Sequence, residues 1–506
     1  MHSIHKVNNY MHLSIYIRPL NQYRLDDDIV VWLLFLLLIC LLQVLLIGTV
    51  ILLENKAPGE TVGWLCILVL LPVIGFIIYV IIGRKAHANL FPNKHIPDNR
   101  LVKTVRKQTD YHHGDGDVLT QLTDSHQKLG SLLLNSGFAP ITFNNQVEIL
   151  LNGGEKFQAL FNALEGARDH IHLSYFIFKD DEIGGDVLKI LARKVGEGVE
   201  VRVLLDGMGS MSISGRFIRS MRQSGIQAEW FSPLRFPYIT SRLNLRYHRK
   251  IVVVDGSTGF MGGLNIGDEY LSRDPKLGFW RDTHLKIEGE AVHTLQSIFL
   301  NDWSFMTRQE IQGARYFPQT FISNVLPVQI VGGGPDTNST SIMQGFFNAI
   351  TMAVHSISIE TPYFIPDDSI IMALKTAALS GLDVRLIVQG IPEHKVTYLA
   401  MHSYFEELLH AGVKIFKYMK GTLHAKILFI DNNLASVGSA NMDLRSFFLD
   451  FEICSFVYDQ GLVEGLKLNF EHDLADSIEL VLKIFQARSF SEKLKESSAR
   501  LFSPLL

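Results

Sequence analysis

The sequence predicts an α/β fold made of two matching halves around one site, preceded by a pair of membrane-spanning helices. Three observations support this. From about residue 140, strand-like and helix-like runs alternate, a rhythm that builds sheets covered by helices. The rhythm restarts near residue 326 and repeats similar short runs in the same order. Ahead of both lie two long runs without a charged residue.

Taken in order, residues 1–28 are expected to be a cytoplasmic N-terminal segment. Residues 29–53 and 61–83 form the uncharged runs, each longer than the roughly 20 residues that cross a hydrocarbon core. A cleaved signal peptide fits poorly, because its apolar stretch would be shorter and Asp26, Asp27 and Asp28 precede this one. The link ENKAPGE is short, so the two spans form a transmembrane hairpin. Lys6, Arg18 and Arg24 flank one side, and Arg84 and Lys85 the other. By the positive-inside bias both ends face the cytoplasm. Pro72 falls inside the second span, where neighbouring groups can satisfy the freed carbonyl.

Residues 84–139 lack a sustained apolar period and read as a linker with room for one short helix. The first half is assigned to 140–325 and the second to 326–506. HIHLSYFIF (170–178) matches SISIETPYFIP (356–366), GVEVRVLLD (198–206) matches GLDVRLIVQ (381–389), and SGIQAEWF (224–231) matches AGVKIFKY (411–418). YHRKIVVVDGSTGFMGGLN (247–265) then matches LHAKILFIDNNLASVGSAN (423–441), and RDTHLKI (281–287) matches FEICSFV (451–457). The shortened offset places about 11 extra residues of the first half near 232–246.

The fourth match carries chemistry. His248 and Lys250, like His424 and Lys426, are two residues apart on strand-like sequence and are expected to share one face. If the halves pack about a pseudo-two-fold axis, one pocket receives two imidazoles and two ammonium groups. That set suits a phosphodiester. Fixed cations stabilise the charged phosphoryl oxygens, while one imidazole attacks phosphorus and the other protonates the leaving alkoxide. Asn265, Ser439 and Asn441 can donate to the same oxygens, with Gly262, Gly263 and Gly438 keeping the approach open. Asp282 and Glu452 begin the last matched strand and are assigned as orienters of His248 and His424 respectively. Asp255 and Asp431 close each motif at a strand end and count with the catalytic set, their expected task being to fix the loop and the charge balance.

Net charge is −4, which gives no reason to expect a nucleic-acid partner. The three cysteines, Cys40, Cys66 and Cys454, form neither a disulfide framework nor a metal site. No metal and no cofactor are expected. In the extra loop, Arg235, Arg242 and Arg246 stand beside Phe236 and Tyr238, a composition suited to anionic headgroups. The closing FQARSFSEKLKESSARLFSPLL has a similar interfacial look.

The doubled HxKxxxxD motif resembles the phospholipase D superfamily. The stretches YHRKIVVVDG, GGLNIGDEYL, GFWRDTHLKI, ETPYFIPDD, LHAKILFID and VGSANMDLRSFFLDFE, after two N-terminal spans, are similar to bacterial cardiolipin synthases of that type from about residue 29 onward. The resemblance implies two phospholipase D-like α/β/α halves at the bacterial plasma membrane. It also implies transfer of a phosphatidyl group between two phosphatidylglycerol molecules without a metal. A phospholipase D-type hydrolase, or another phosphatidyltransferase, is the alternative on the same core. Asp450 departs from the pattern, which commonly has Asn there. The oligomeric state stays open.

Overall fold

The computed structural model describes residues 27–53, 58–79, 122–231, 244–320, 322, 325–336 and 340–506. They fall into two compact units divided after Lys85.

In the first unit, helix α1 spans Asp27–Leu53. Its stretch Ile29–Leu53 is long and apolar enough to cross a membrane. The second uncharged run is not one continuous helix. It is α2, Pro58–Leu70, and α3, Pro72–Ile78, separated at Leu71, whose φ of −134° and ψ of 68° lie outside the helical region. A residue before proline is pushed from helical geometry by the ring, and proline has no N–H to continue the ladder. Ile47, Ile51, Leu68 and Tyr79 are buried together beside Trp64.

The second unit is built on one long mixed sheet. Its first strands are β1 (Ile141–Leu151), β2 (His170–Tyr175), β3 (Glu200–Asp206), β4 (Gln227–Phe231), β5 (Ile251–Val254), β6 (Thr258–Gly262) and β7 (Thr283–Gly289). The later ones are β8 (Val325–Gly333), β9 (Ser356–Thr361), β10 (Asp383–Gln389), β11 (Lys414–Tyr418), β12 (Ile427–Ile430), β13 (Leu434–Gly438), β14 (Asp450–Val457) and β15 (Ser477–Glu479). Outward from the middle, the early strands run β1-β7-β6-β5-β2-β3-β4 and the late ones β8-β14-β13-β12-β9-β10-β11-β15. Apart from the added β15, both sets follow one order. They join through the antiparallel pair β1·β8.

The run IVVV of β5 is buried throughout, as a strand covered on both faces requires. One core cluster draws on both sets: Ile251, Val253 and Leu285 share it with Ile427, Val437 and Ile453. This shared core fixes the two HxK segments relative to each other.

Within the stretch read as a linker, residues Asp124–Gly137 form a helix, α4. Thr123 caps it through the His126 N–H. Its Leu129 and Leu133 belong to the same core cluster as Ile141, Val331 and Ile342, so this part of 84–139 is packed rather than a spacer. The extra loop falls largely at 232–243, outside the described residues, as do residues 1–26. Near the C-terminus, the helix Phe490–Arg500 starts with a Ser489–Glu492 capping box and buries Glu496 and Ala499, while Phe490 and Leu494 are exposed.

Candidate active site

The HxK segments feed the strands rather than lying in them. Two short parallel pairings position them. Arg246–Tyr247 pairs with Asp450–Phe451, and Gly421–Leu423 pairs with Phe279–Arg281. Each pairing continues by one bond into a motif. The His248 N–H donates to the Phe451 carbonyl at 2.9 Å, and the His424 N–H donates to the Arg281 carbonyl at 2.7 Å. β5 and β12 begin immediately after, at Ile251 and Ile427.

The same crossing brings in the carboxylates. Nδ1 of His248 lies 2.9 and 3.1 Å from the two oxygens of Glu452. Nδ1 of His424 lies 2.7 Å from Oδ2 of Asp282. The expected pairing is therefore exchanged, with each histidine held by the carboxylate that opens a strand of the other set. The reason is the parallel pairing, which sets residue 248 beside the start of β14 and residue 424 beside the start of β7. A carboxylate can only accept, so both histidines carry their proton on Nδ1 and leave Nε2 as the bare nitrogen. Among the described residues no hydrogen bond engages either Nε2.

The site is enclosed. Lys250, Asp282 and Glu452 are wholly buried, and His248 is 9% exposed. Burial pushes both imidazoles down to about 4, with the lysines of both halves adding to the effect. Burial likewise pushes Lys250 down to about 7 and Lys426 to about 8, against the pull of Glu452 and Asp282. Burial alone would raise the Glu452 carboxyl, but His248 and Lys250 hold it below its ordinary value. His248 thus feels Lys426, and His424 feels Lys250. Lys250 Nζ donates to the His248 carbonyl at 2.6 Å and Lys426 Nζ to the His424 carbonyl at 2.5 Å. This ties each ammonium to the base of its own histidine.

A family model described as cardiolipin synthase, PLD-like domain, matches residues 160–303 and again 346–474, and one described as phospholipase D-nuclease N-terminal matches 36–84. A curated cardiolipin synthase 2 of Bacillus anthracis is 43% identical over 470 residues, covering 91% of this chain and 90% of its own. The chain belongs to the cardiolipin synthase family of phospholipase D-like proteins. Another relative, the cardiolipin synthase of Alkalihalophilus pseudofirmus, is 41% identical and covers 92% of each chain. Among solved structures, phosphatidylserine synthase of Haemophilus influenzae matches with a TM-score of 0.57 at 17% identity, over 75% of this chain and all of that one. That likeness shows the fold.

Not every residue expected in this cardiolipin synthase-family pocket serves there. The Ser439 hydroxyl donates to Glu452 and is spent on orienting it. Asn265 accepts from the Ile177 N–H through Oδ1 and donates to the Tyr270 hydroxyl. Asn441 retains a buried, unpartnered Oδ1. Asp255 and Asp431 stand about 16 Å along the chain from their lysines, taking ~3.3 Å per residue. Asp255 accepts from the N–H groups of Arg168, Asp169 and His170, and Asp431 from those of Val354, His355 and Ser356. Both have a φ of 51°. They clamp a turn to the preceding strand and do not touch the pocket. Asp450 is buried against Arg445 Nε at 3.2 Å, and burial pushes its carboxyl well up.

Four residues of the site were not anticipated. The Phe176 ring meets His248 edge-on at 5.0 Å between centroids, and Trp280 meets His424 at 5.2 Å. Arg249 Nε donates to the Glu452 carbonyl at 3.0 Å, while Arg281 Nη1 donates to the Asp282 carbonyl at 2.7 Å. Each arginine also binds a buried aspartate, Asp302 at 2.5 Å and Asp473 at 2.6 Å. The position inside HxK was the available signal for Arg249, and adjacency to Asp282 for Arg281.

Proposed function

We propose that the protein is a cardiolipin synthase, transferring a phosphatidyl group from one phosphatidylglycerol to another and releasing glycerol. The observation carrying this is the reciprocal pair of Nδ1–carboxylate bonds at 2.9 and 2.7 Å, which leaves two Nε2 atoms and two ammonium groups for one phosphodiester.

In this reading His248 is the nucleophile. Its Nε2 forms a bond to phosphorus while the phosphorus–oxygen bond to glycerol breaks, and the departing oxygen takes a proton from Nε2 of His424. An anionic diester raises the affinity of the site for protons, so His424 can be protonated once substrate is bound. A hydroxyl of the second phosphatidylglycerol then attacks phosphorus as His424 takes its proton, and the P–N bond breaks. Lys250 and Lys426 neutralise the non-bridging oxygens throughout.

The same reading takes the two strand sets as an internal duplication with pseudo-two-fold symmetry, supported by their shared strand order. It assigns 140–325 and 326–506 as the halves, 29–83 as a transmembrane hairpin and 84–139 as the connection. The packing of α1 with α2 and α3 supports the hairpin. The catalytic region then faces the cytoplasm of a bacterial cell, at a plasma membrane rich in anionic lipid.

The test is purified protein in mixed micelles with phosphatidylglycerol alone, read by mass spectrometry. Cardiolipin and glycerol are expected in equal amounts. In His424→Ala, a phosphatidyl adduct on His248 should accumulate. Phosphatidic acid without cardiolipin would instead mark a hydrolase.

A further inference from the structure

Asp282 holds His424, and something must hold Asp282. β1 pairs with β7 through Leu151 and Thr283, so Asn152 is the next rung, opposite Asp282. Here the chain leaves the strand and turns into a helix, α5 (Asn152–Gly166). Asn152 adopts a φ of 60°, a left-handed conformation that asparagine tolerates better than most residues. That turn carries its own carbonyl out of the ladder, and the side chain replaces it. The Asp282 N–H donates to Asn152 Oδ1 at 3.0 Å, and the Asn152 N–H donates to the Asp282 carbonyl at 2.9 Å.

The start of α5 is tightly seated. A Cβ on Gly153 would lie 2.0 Å from the Tyr270 carbonyl oxygen, so the helix rests directly on that backbone. One turn later the buried Lys156 donates to the Asn265 carbonyl at 3.4 Å. The first turn of α5 therefore grips both arms of the first half's site. From the match of QALFNAL (158–164) with QGFFNAI (344–350), the second half has Ile342 in place of Lys156.

We propose that Asn152 is a positioning residue for phosphatidyl transfer, clasping the backbone of Asp282 and through it setting the His424 imidazole. The proposal rests on His424 being the residue that moves the proton. Asn152 touches no substrate. Its clasp fixes where Oδ2 of Asp282 lies, and with it the direction in which Nε2 of His424 points.

Two substitutions separate side chain from backbone. Asn152→Gly keeps the left-handed turn and removes the acceptor, whereas Asn152→Asp keeps both. With phosphatidylglycerol in mixed micelles, Asn152→Gly should lower kcat about 10- to 100-fold with KM changed by less than about twofold. Asn152→Asp should stay within about threefold of the parent. In the second step His424 must be unprotonated to act as base, and the acid limb this gives to breakdown of the phosphatidyl-enzyme should move to lower pH in Asn152→Gly, because Asp282 raises the proton affinity of His424. In an Asp282→Asn background, Asn152→Gly should cost less than about twofold more. Equal losses in both backgrounds, or equal losses in Asn152→Gly and Asn152→Asp, would overturn the proposal. If the products prove to be phosphatidic acid and glycerol, the functional reading fails, but the same ratios measured on that release still decide the role of Asn152.

Discussion

Nδ1 of His424 lies 2.7 Å from Oδ2 of Asp282, a residue 142 positions earlier in the chain. The matching bond from His248 reaches Glu452, 204 positions later. Each of these histidines takes its tautomer from a carboxylate far away in the chain.

Removing either carboxylate's charge should therefore damage the histidine of the other half. Asp282→Asn and Glu452→Gln each leave an amide that can donate, which favours the wrong tautomer. We expect kcat losses on the order of 10²- to 10⁴-fold for each. The adduct identifies the partner. If His248 is the nucleophile, Asp282→Asn should still accumulate phosphatidyl-histidine, while Glu452→Gln should not. Mass spectrometry of acid-quenched enzyme reads this directly, and the reverse pattern would exchange the roles of the two histidines.

The lysines set the alkaline side of the pH profile. An ammonium is useful only while protonated, and burial brings Lys250 to about 7 and Lys426 to about 8 in the free enzyme. Raising pH through this window strips their charge, so kcat/KM should fall between about 7 and 8. A bound anionic diester favours the charged forms, so the same limb in kcat should sit at higher pH. On the acid side, His248 must be neutral to attack. Burial holds it, and the proton donor His424, at about 4 in the free enzyme, so kcat/KM should pass through a maximum near that value and decline above it, most steeply through the lysine window. A kcat/KM that stays flat from 7 to 9 would contradict this assignment.

Positions 263 and 439 correspond, but opposite changes are harmful at the two. Ser439 gives its hydroxyl to Glu452, and Ser439→Ala should cost about tenfold in kcat. At position 263 a Cβ would lie 2.1 Å from Oδ1 of Asp282. Gly263→Ser, which makes the two halves more alike, should displace Asp282 and cost more than Ser439→Ala. Parallel steady-state assays and thermal unfolding of the two variants check the order.

Asp255 and Asp431 are expected to matter for stability rather than chemistry. Each holds three backbone N–H groups. Asp431→Ala should cost about 1–3 kcal/mol, seen as a lower unfolding midpoint. The folded fraction should keep most of its kcat at low temperature. A loss of kcat as large as that of His424→Ala, with an unchanged midpoint, would return Asp431 to the pocket.

Much of this was legible in the sequence, because local pattern and repetition carry it. The buried run IVVV, the ordered matches and the twin HxK motifs follow from nearest neighbours along the chain. What was not legible depends on contacts between distant segments. Equivalence of Asp282 and Glu452 could be read, but which histidine each would meet depends on the pairing of 246–247 with 450–451 and of 421–423 with 279–281. Ser439 read as a phosphate donor because nothing local reveals that Glu452 stands beside it. Phe176 sits in a matched stretch and Trp280 just ahead of one, yet an aromatic beside a strand-like run is ordinary until a histidine is seen against it. The second apolar run reads as one span because Pro72 is expected to be tolerated within a continuous helix, whereas Leu71 leaves helical geometry before it.

The crossed pairing also constrains how such an enzyme can vary. Altering the strand that opens with Asp282 retunes an imidazole encoded far downstream, and altering the one that opens with Glu452 retunes one encoded far upstream. Neither segment can drift alone without detuning its distant counterpart. Severed into two polypeptides, the pieces would each carry an unsupported imidazole and a carboxylate with nothing to hold, and activity would return only when they met.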